Sequence, residues 1–373
     1  MKKPIRPIAT SAEVARLAGV SRTTVSFVLN DIRDRGISDI TRERVLAVAR
    51  DLGYEPNAAA RSLAGGVTRN VALVVPQLQH LAVDAFLAQL VASVDAWCHM
   101  SGLRMLIESM EGEGREPGGF LQLVSSRSID GLIMANPRAQ ELEALRQLRD
   151  RRTPLVLLGS ELHANEGFQT IGHDTRSLPL LPVEHLLRLG HRRVGMVNYA
   201  PADYQSALQR ELAWREALST AGIDADPRWC AHGNISAHSG YVATRELLAR
   251  KGRLDALFAG NDTIAFGMLR ALQEAGLRVP DDIAVVGYDD IPLAAFASPP
   301  LTTVQSDAQG HGRLAVQRLL AQMREGEPAA LEELQAPRLV VRHSCGAPPA
   351  AQAPAARTPP AAKKRAPRRP VRA

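Results

Sequence analysis

Between Ser21 and Asn30 the chain reads SRTTVSFVLN, and its apolar and polar residues separate onto two faces of a helix. At about 100° per residue, Val25, Val28 and Leu29 share one face. Thr23, Ser26, Phe27 and Asn30 point the other way, and Arg22 stands at the helix start. That outward face suits the major groove of DNA. An arginine bonds guanine through two donors, a threonine bonds a base edge or touches a thymine methyl, and hydroxyls hold phosphates. Ser, Thr and Val are mediocre helix formers, so the apolar face must be packed for this helix to stand.

The flanking residues supply the packing. Thr10–Glu13, TSAE, has the pattern of a capping box, in which hydroxyl and carboxylate satisfy backbone donors at a helix start. Val14, Ala15, Leu17 and Ala18 follow, and Gly19 breaks the helix. Ser21 is a good N-cap for the next one. Two short helices joined by a glycine turn make a helix-turn-helix, with Val25 packed between them. ITRERVLAVARDLGY then reads as a third helix. PNAAARSLAGG (56–66) begins at a proline and ends at glycines, a connector helix too short to be stable alone.

From Asn70 the pattern changes. Short apolar runs such as NVALVVP, DGLIMAN, PLVLLGS, RVGMVNY, DALFAGND and IAVVGYDD alternate with amphipathic helical segments. Buried strands alternating with helices imply parallel sheets covered on both faces, here enough for two sheets in two lobes. A ligand then belongs in the crevice at the strand carboxyl ends. Residues 347–373 are Ala/Pro/Arg low-complexity sequence, expected to be a disordered basic tail.

Charge follows this division. Residues 1–66 hold 11 basic and 7 acidic residues, and 347–373 hold 7 basic and none acidic, within a net +6 for the 373 residues. Basic ends on a mildly acidic body point to an anionic partner, most simply nucleic acid. No apolar run approaches a membrane span, and the N-terminus lacks the apolar stretch of a secretory signal. Three scattered cysteines without CxxC spacing are expected as reduced thiols in a cytoplasmic protein. No P-loop, GxSxG, HExxH or metal-spaced cluster occurs, so neither an enzymatic role, a metal nor a cofactor is expected. Asp289–Asp290 mimics a catalytic pair, but neighbours at a strand end point to opposite sides.

SAEVARLAGVSRTTVSFVLN, TRERVLAVARDLGYEPNAAARSL, LGHRRVGMV, GNDTIAFG and VPDDIAVVGYDD…PPLTTV together resemble the lactose-repressor (LacI) family of bacterial transcription factors, over residues 9 to 346. The resemblance implies a small all-α helix-turn-helix headpiece (1–55) and a hinge helix (56–66). A two-lobed α/β periplasmic-binding-protein-like domain (67–346) follows, and the tail lies outside. The first lobe would take about 67–169 and 303–332, the second about 170–302 and 333–346.

By the same resemblance Arg22 and Thr23 read bases, with Phe27 standing where many relatives have arginine. Phe27 is left with two roles, a thymine-methyl contact or packing on the hinge. Ser21, Thr24, Ser26 and Asn30 match phosphate-contact and docking positions. The loop NDIRDRGISDIT is slightly longer than in the best-known members. In the hinge, Leu63 matches a minor-groove wedge, Asn57 and Ala60 lie near the DNA backbone, and Arg61 adds a phosphate contact.

In the crevice, Arg210, Asn261 and Asp289 match effector-contacting positions, a set that orients a polyol by charge-assisted bonds. The paired aromatics of many sugar-binding relatives are replaced by Ala82 and Val83, leaving Trp214 as the available stacking surface, and His80 and Asp84 either as substitute polar contacts or as surface residues of the first helix. Ser306 stands where the lactose repressor has glutamine. Asp262 and Asp290 are expected to cap or to face solvent. These features imply a ligand-responsive repressor that binds a palindromic operator on double-stranded DNA as a homodimer, with a small-molecule effector and no membrane partner. The competing reading is a cytoplasmic sugar-binding protein without DNA function.

Overall fold

The computed structural model describes residues 9–54, 67–110, 116–159, 166–172, 180–250, 252–324 and 334–347. The expected hinge helix and tail lie outside these residues, apart from Ala347.

Three helices form the headpiece: α1 (Ser11–Ala18), α2 (Arg22–Leu29) and α3 (Asp39–Asp51). Each starts at a hydroxyl cap. The side chains of Thr10, Ser21 and Ser38 accept from the backbone N–H groups of Glu13, Thr24 and Thr41. Gly19 adopts φ +65°, the left-handed turn expected of it, and its N–H closes the first helix on Ala15 and Arg16. Val14, Ala15, Ala18, Val25, Val28, Val45 and Ala49 are buried together. Leu29 packs at the edge of that cluster and is only partly covered. The mediocre helix formers of α2 are thus held by tertiary packing.

The first lobe is a five-stranded parallel sheet of β1 (Asn70–Val75), β2 (Arg104–Ser109), β3 (Gly131–Ala135), β4 (Leu155–Leu158) and β5 (Gln169–Ile171), in the order β2-β1-β3-β4-β5. Apart from Asn70 at the start of β1, its core strands are apolar, as a sheet buried on both faces requires. β2 departs from that rule because it is an edge, with Leu106 and Ile107 exposed. Helix α4 (Ala85–Met100) covers one face with a late helix, Ala308–Met323.

The second lobe holds β6 (Val194–Asn198), β7 (Cys230–His232), β8 (Ala256–Ala259), β9 (Ala284–Asp289), β10 (Thr302–Gln305) and β11 (Arg338–Val340), in the order β11-β10-β9-β8-β6-β7. Strand β11 runs antiparallel to β10, an exception to the all-parallel expectation. The helices Ala237–Ala249 and Asp262–Glu274 meet backbone to backbone at Gly267, where a Cβ would sit 1.8 Å from the Ala237 carbonyl oxygen.

The lobes differ from the expected division by a few residues. β5 is paired to β4, so the first lobe extends through Ile171. β10 is paired to β9, so the second lobe extends through Gln305. In both cases strand pairing carries the lobe past the boundary that the resemblance implied.

Candidate functional site: a helix face and an inter-lobe pocket

On α2 the packed face leaves Ser21, Arg22, Thr23, Ser26 and Asn30 exposed, and Thr24 and Phe27 partly covered. The Ser21 and Thr24 hydroxyls lie 2.9 Å apart, so the cap also fixes Thr24. The Asn30 amide donates to the Ser26 hydroxyl at 3.3 Å. Phe27 takes a partner that neither sequence alternative named: the Arg35 guanidinium of the long loop lies 5.4 Å over its ring. Asn57, Ala60, Arg61 and Leu63 lie outside the described residues.

The pocket gathers the carboxyl ends of strands from both lobes, where an α/β crevice belongs. Pro76, Asn136, Gly159 and Gly172 border it from the first lobe, and Tyr199, Asn261, Asp289 and Ser306 from the second. Its volume is about 150 Å³. The lobes touch across it. Asn136 donates to the Tyr199 hydroxyl at 3.2 Å, and Ser206 bonds both residues. Thr263 donates to the Val83 carbonyl at 3.3 Å, and Ala139 N–H to the Asp203 carbonyl at 3.1 Å.

Arg210, on α8 (Gln205–Thr220; α5 to α7 are Leu121–Ser125, Leu142–Asp150 and Leu180–Arg188), is the centre of charge. Its guanidinium bonds the Gly260 carbonyl and lies 3.9 Å from an Asp289 oxygen. The Tyr288 and Tyr199 rings lie 3.9 and 4.7 Å away. Burial opposes its charge, but Asp289 and the tyrosines raise its pKa above the ordinary value. Burial drives Asp289 well above the usual carboxylate range, with Arg210 pulling back. Asp84 is pushed up to about 6, again by burial, against the backbone donors it accepts from and Arg210.

Asp84, Arg210, Asn261, Asp289 and Ser306 all line the pocket. Two of these also hold backbone. Asp84 caps α4 by accepting from the N–H of Phe86 at 3.0 Å, and Asn261 caps the helix at Asp262 by accepting from Ile264 at 2.8 Å. Asp289 sits at φ +116°, a strained conformation that marks functional sites. The chain turns so sharply there that Asp289 faces Arg210 while Asp290 pairs Arg342 at 2.6 Å.

Four expectations are corrected. Trp214 is fully buried among Val183, Leu186 and Met196, with its indole N–H on the Val194 carbonyl at 3.0 Å. Four residues along α8 from Arg210 means about 6 Å down toward the strand starts, so Trp214 is core. His80 is buried in the turn Leu78–Ala82 and does not line the pocket, since that turn brings Asp84 there instead. Asp262 neither caps nor faces solvent, because Asn261 already caps its helix. Its carboxyl is buried, pushed up to about 7 by that burial, and accepts from the Thr303 hydroxyl at 2.6 Å and Ile291 N–H at 2.9 Å. Asp290 is held inward by Arg342.

Sequence reading missed Phe86, Asn136, Tyr199, Ser206, Gln209, Tyr288 and His311, all on the pocket wall. Phe86 meets the His311 ring edge-on at 6.0 Å, so an aromatic surface is present after all. The signals were there: Asn136 and Tyr199 directly follow strands, and Ser206, Gln209 and Arg210 share a helical face. Among the described residues one group brings metal-ligating atoms within 4.8 Å, Glu211, Cys230 and His232. Its carboxylate is already bonded by Arg215 at 2.7 Å and His232 at 2.9 Å. Burial pushes the Cys230 thiol up to about 12, so the thiolate a metal needs is disfavoured.

Comparison with known proteins agrees with this architecture. The model of bacterial regulatory proteins of the lacI family matches residues 10–57, and that of the periplasmic binding protein-like domain matches 183–345. The ribose operon repressor of Haemophilus influenzae is 32% identical over 345 residues, covering 90% of this chain and 98% of its own. The transcriptional repressor PurR of Photobacterium profundum is 30% identical over 340 residues, with the same coverage. Among solved structures, the lac repressor dimer bound to operator and the anti-inducer ONPF is 30% identical, with a TM-score of 0.78, covering 91% of this chain and 99% of that one. The transcriptional regulator CelR in complex with cellobiose is 31% identical, with a TM-score of 0.65 and coverage of 90% and 99%. These relatives are regulators of transcription rather than enzymes. Matched in headpiece and body by relatives of nearly equal length, the chain belongs to the lacI family of bacterial regulatory proteins.

Proposed function

We propose that this chain represses transcription by reading a palindromic operator as a homodimer, with an uncharged small molecule in the crevice setting its affinity for DNA. Its family makes it a ligand-responsive DNA-binding repressor. The observation that carries the reading is α2, whose buried face is held by the headpiece core while Arg22 and Thr23 stand exposed beside a fixed cap. Arg22, Thr23 and Phe27 face base edges, and Ser21, Thr24, Ser26 and Asn30 dock the helix on phosphates. In the hinge segment Ala60 and Leu63 are assigned to the minor groove and Asn57 and Arg61 to phosphates, and the basic tail is assigned a salt-sensitive attraction. DNA as partner makes the protein cytoplasmic, and none of the described helices is long and apolar enough to cross a membrane.

The exposed edge of β2, with Leu106 and Ile107, supports a homodimer, since an unpaired apolar edge favours a second chain. Regulation follows from the pocket walls. A ligand that contacts both lobes favours one degree of closure, and that preference shifts DNA affinity only insofar as it binds the two states differently. An uncharged ligand suits the site because the Arg210 guanidinium is already engaged by the Gly260 carbonyl and the Tyr199 and Tyr288 rings, and Asp84 would repel an anion.

Selection of bound duplexes from a random library, by the purified full chain at two salt concentrations, tests this. A palindrome is expected. Binding that is salt-sensitive but carries no motif, with and without a panel of neutral metabolites, overturns sequence-specific repression.

A further inference from the structure

One polar side chain in the crevice is left unanswered by its surroundings. Gln209 lies between Ser206 and Arg210 on the pocket face of α8, and is 6% exposed. Neither its side-chain oxygen nor its nitrogen meets a hydrogen-bond partner among the described residues. Its neighbours are all engaged: Ser206 with Asn136 and Tyr199, Asn261 with Ile264, Asp84 with Phe86, and Arg210 with Gly260. Buried amides are almost always bonded, and those that are not sit where a ligand or water completes them. Gln209 is mid-helix, so it serves no cap or turn.

We propose that Gln209 is a specificity-determining ligand contact, its amide taking an adjacent donor and acceptor on an uncharged, single-ring molecule. A glutamine side chain presents one carbonyl acceptor and one NH₂ donor side by side. The complement is a pair of neighbouring groups of opposite sense, as on a vicinal diol or a cyclic amide edge. The pocket volume of about 150 Å³ is that of a cavity able to hold one six-membered ring. Charge sets the rest: two carboxyls, Asp84 and Asp289, share the wall with Arg210. The inference rests on reading this crevice as the effector site.

The test uses the full-length protein, thermal unfolding, and three probes: D-ribose for the diol, uracil for the cyclic amide, and ribose 5-phosphate as the anion. Gln209→Met keeps the volume and removes both polar atoms. With no probe present, its Tm is expected to rise by about 2 °C, because an unanswered buried amide has been removed. The Tm shift that D-ribose or uracil gives the wild type is expected to disappear in the variant, with apparent affinity at least 10-fold lower, and ribose 5-phosphate is expected to shift neither protein. Which neutral probe acts separates diol from amide edge. A fall in the ligand-free Tm of Gln209→Met overturns the proposal, since the amide would then be bonded within the protein. Equal probe shifts in both proteins overturn it as well. A wild type that responds to the phosphate alone, or to no probe, overturns the ligand class, while the ligand-free Tm still judges Gln209. Operator binding by the wild type, with and without the active probe, keeps the two readings apart. A probe that binds through Gln209 without changing operator affinity sinks the effector reading and leaves the contact standing.

Discussion

The headpiece and the crevice solve the same problem, presenting polar groups to a partner, in opposite ways. In the headpiece the working groups are outside and their support is local: a hydroxyl cap under each helix and a small cluster of valines and alanines behind α2. In the crevice the working groups are inside, and their support is one another. Arg210 carries its charge only because Asp289 and two tyrosine rings surround it, and Asn261 and Asp84 are kept in place by the helices they cap. Exposed sites can therefore lose a functional side chain cheaply, whereas buried ones lose fold and function together.

Arg210→Ala tests the buried half of that contrast and has the largest expected effect. It leaves the Asp289 carboxyl buried beside an empty volume, and removing one partner of a buried pair costs about 3 kcal/mol or more. Urea unfolding should show that loss in the body of the protein, and ligand response should vanish. Unchanged stability would mean that Asp289 is adequately solvated without its guanidinium.

Arg22→Ala tests the exposed half. With no packing lost, the midpoint of unfolding should not move, while operator affinity falls by about 10- to 100-fold and specificity relaxes at one base. A uniform loss across all sequences would instead assign Arg22 to a phosphate. Ser21→Ala sits between the two cases, because its hydroxyl both caps α2 and fixes Thr24. About 1 kcal/mol of headpiece stability should go with it, measured by a calorimetric transition separate from that of the body.

The same contrast explains what could be read from the sequence. The recognition helix was legible because its function and its packing follow one short period: Val25 and Val28 inward, Arg22 and Thr23 outward. Strands were legible as apolar runs, but the lobe boundaries were not, because β5 and β10 are claimed by pairing partners far along the chain. In the pocket, resemblance supplied Arg210, Asn261 and Asp289. It misplaced Trp214, which shares a helical face with Arg210 yet lies a full turn deeper in the core. Gln209 and Asn136 went unnoticed since nothing local distinguishes a glutamine or asparagine that faces a pocket from one that faces water. Only the meeting of the two lobes makes them neighbours.

The last effect is read only as a dependence on pH, and concerns how the crevice keeps a carboxyl that its surroundings dislike. Asp84 has its pKa raised from 3.8 to about 6 by burial. The folded protein therefore holds this proton more tightly than the unfolded chain does, so stability from this group is full below pH 4 and is lost as pH rises through about 6. Asp84→Asn retains an acceptor oxygen for the α4 cap but does not titrate. Stability of the variant relative to the wild type should thus climb between pH about 4 and 6 and be level on either side. Subtracting the two curves cancels Asp262, whose pKa of about 7 gives the same sign in both proteins. A flat difference would mean that water reaches Asp84 freely, and the crevice would then resemble the headpiece, its charges held by solvent rather than by each other.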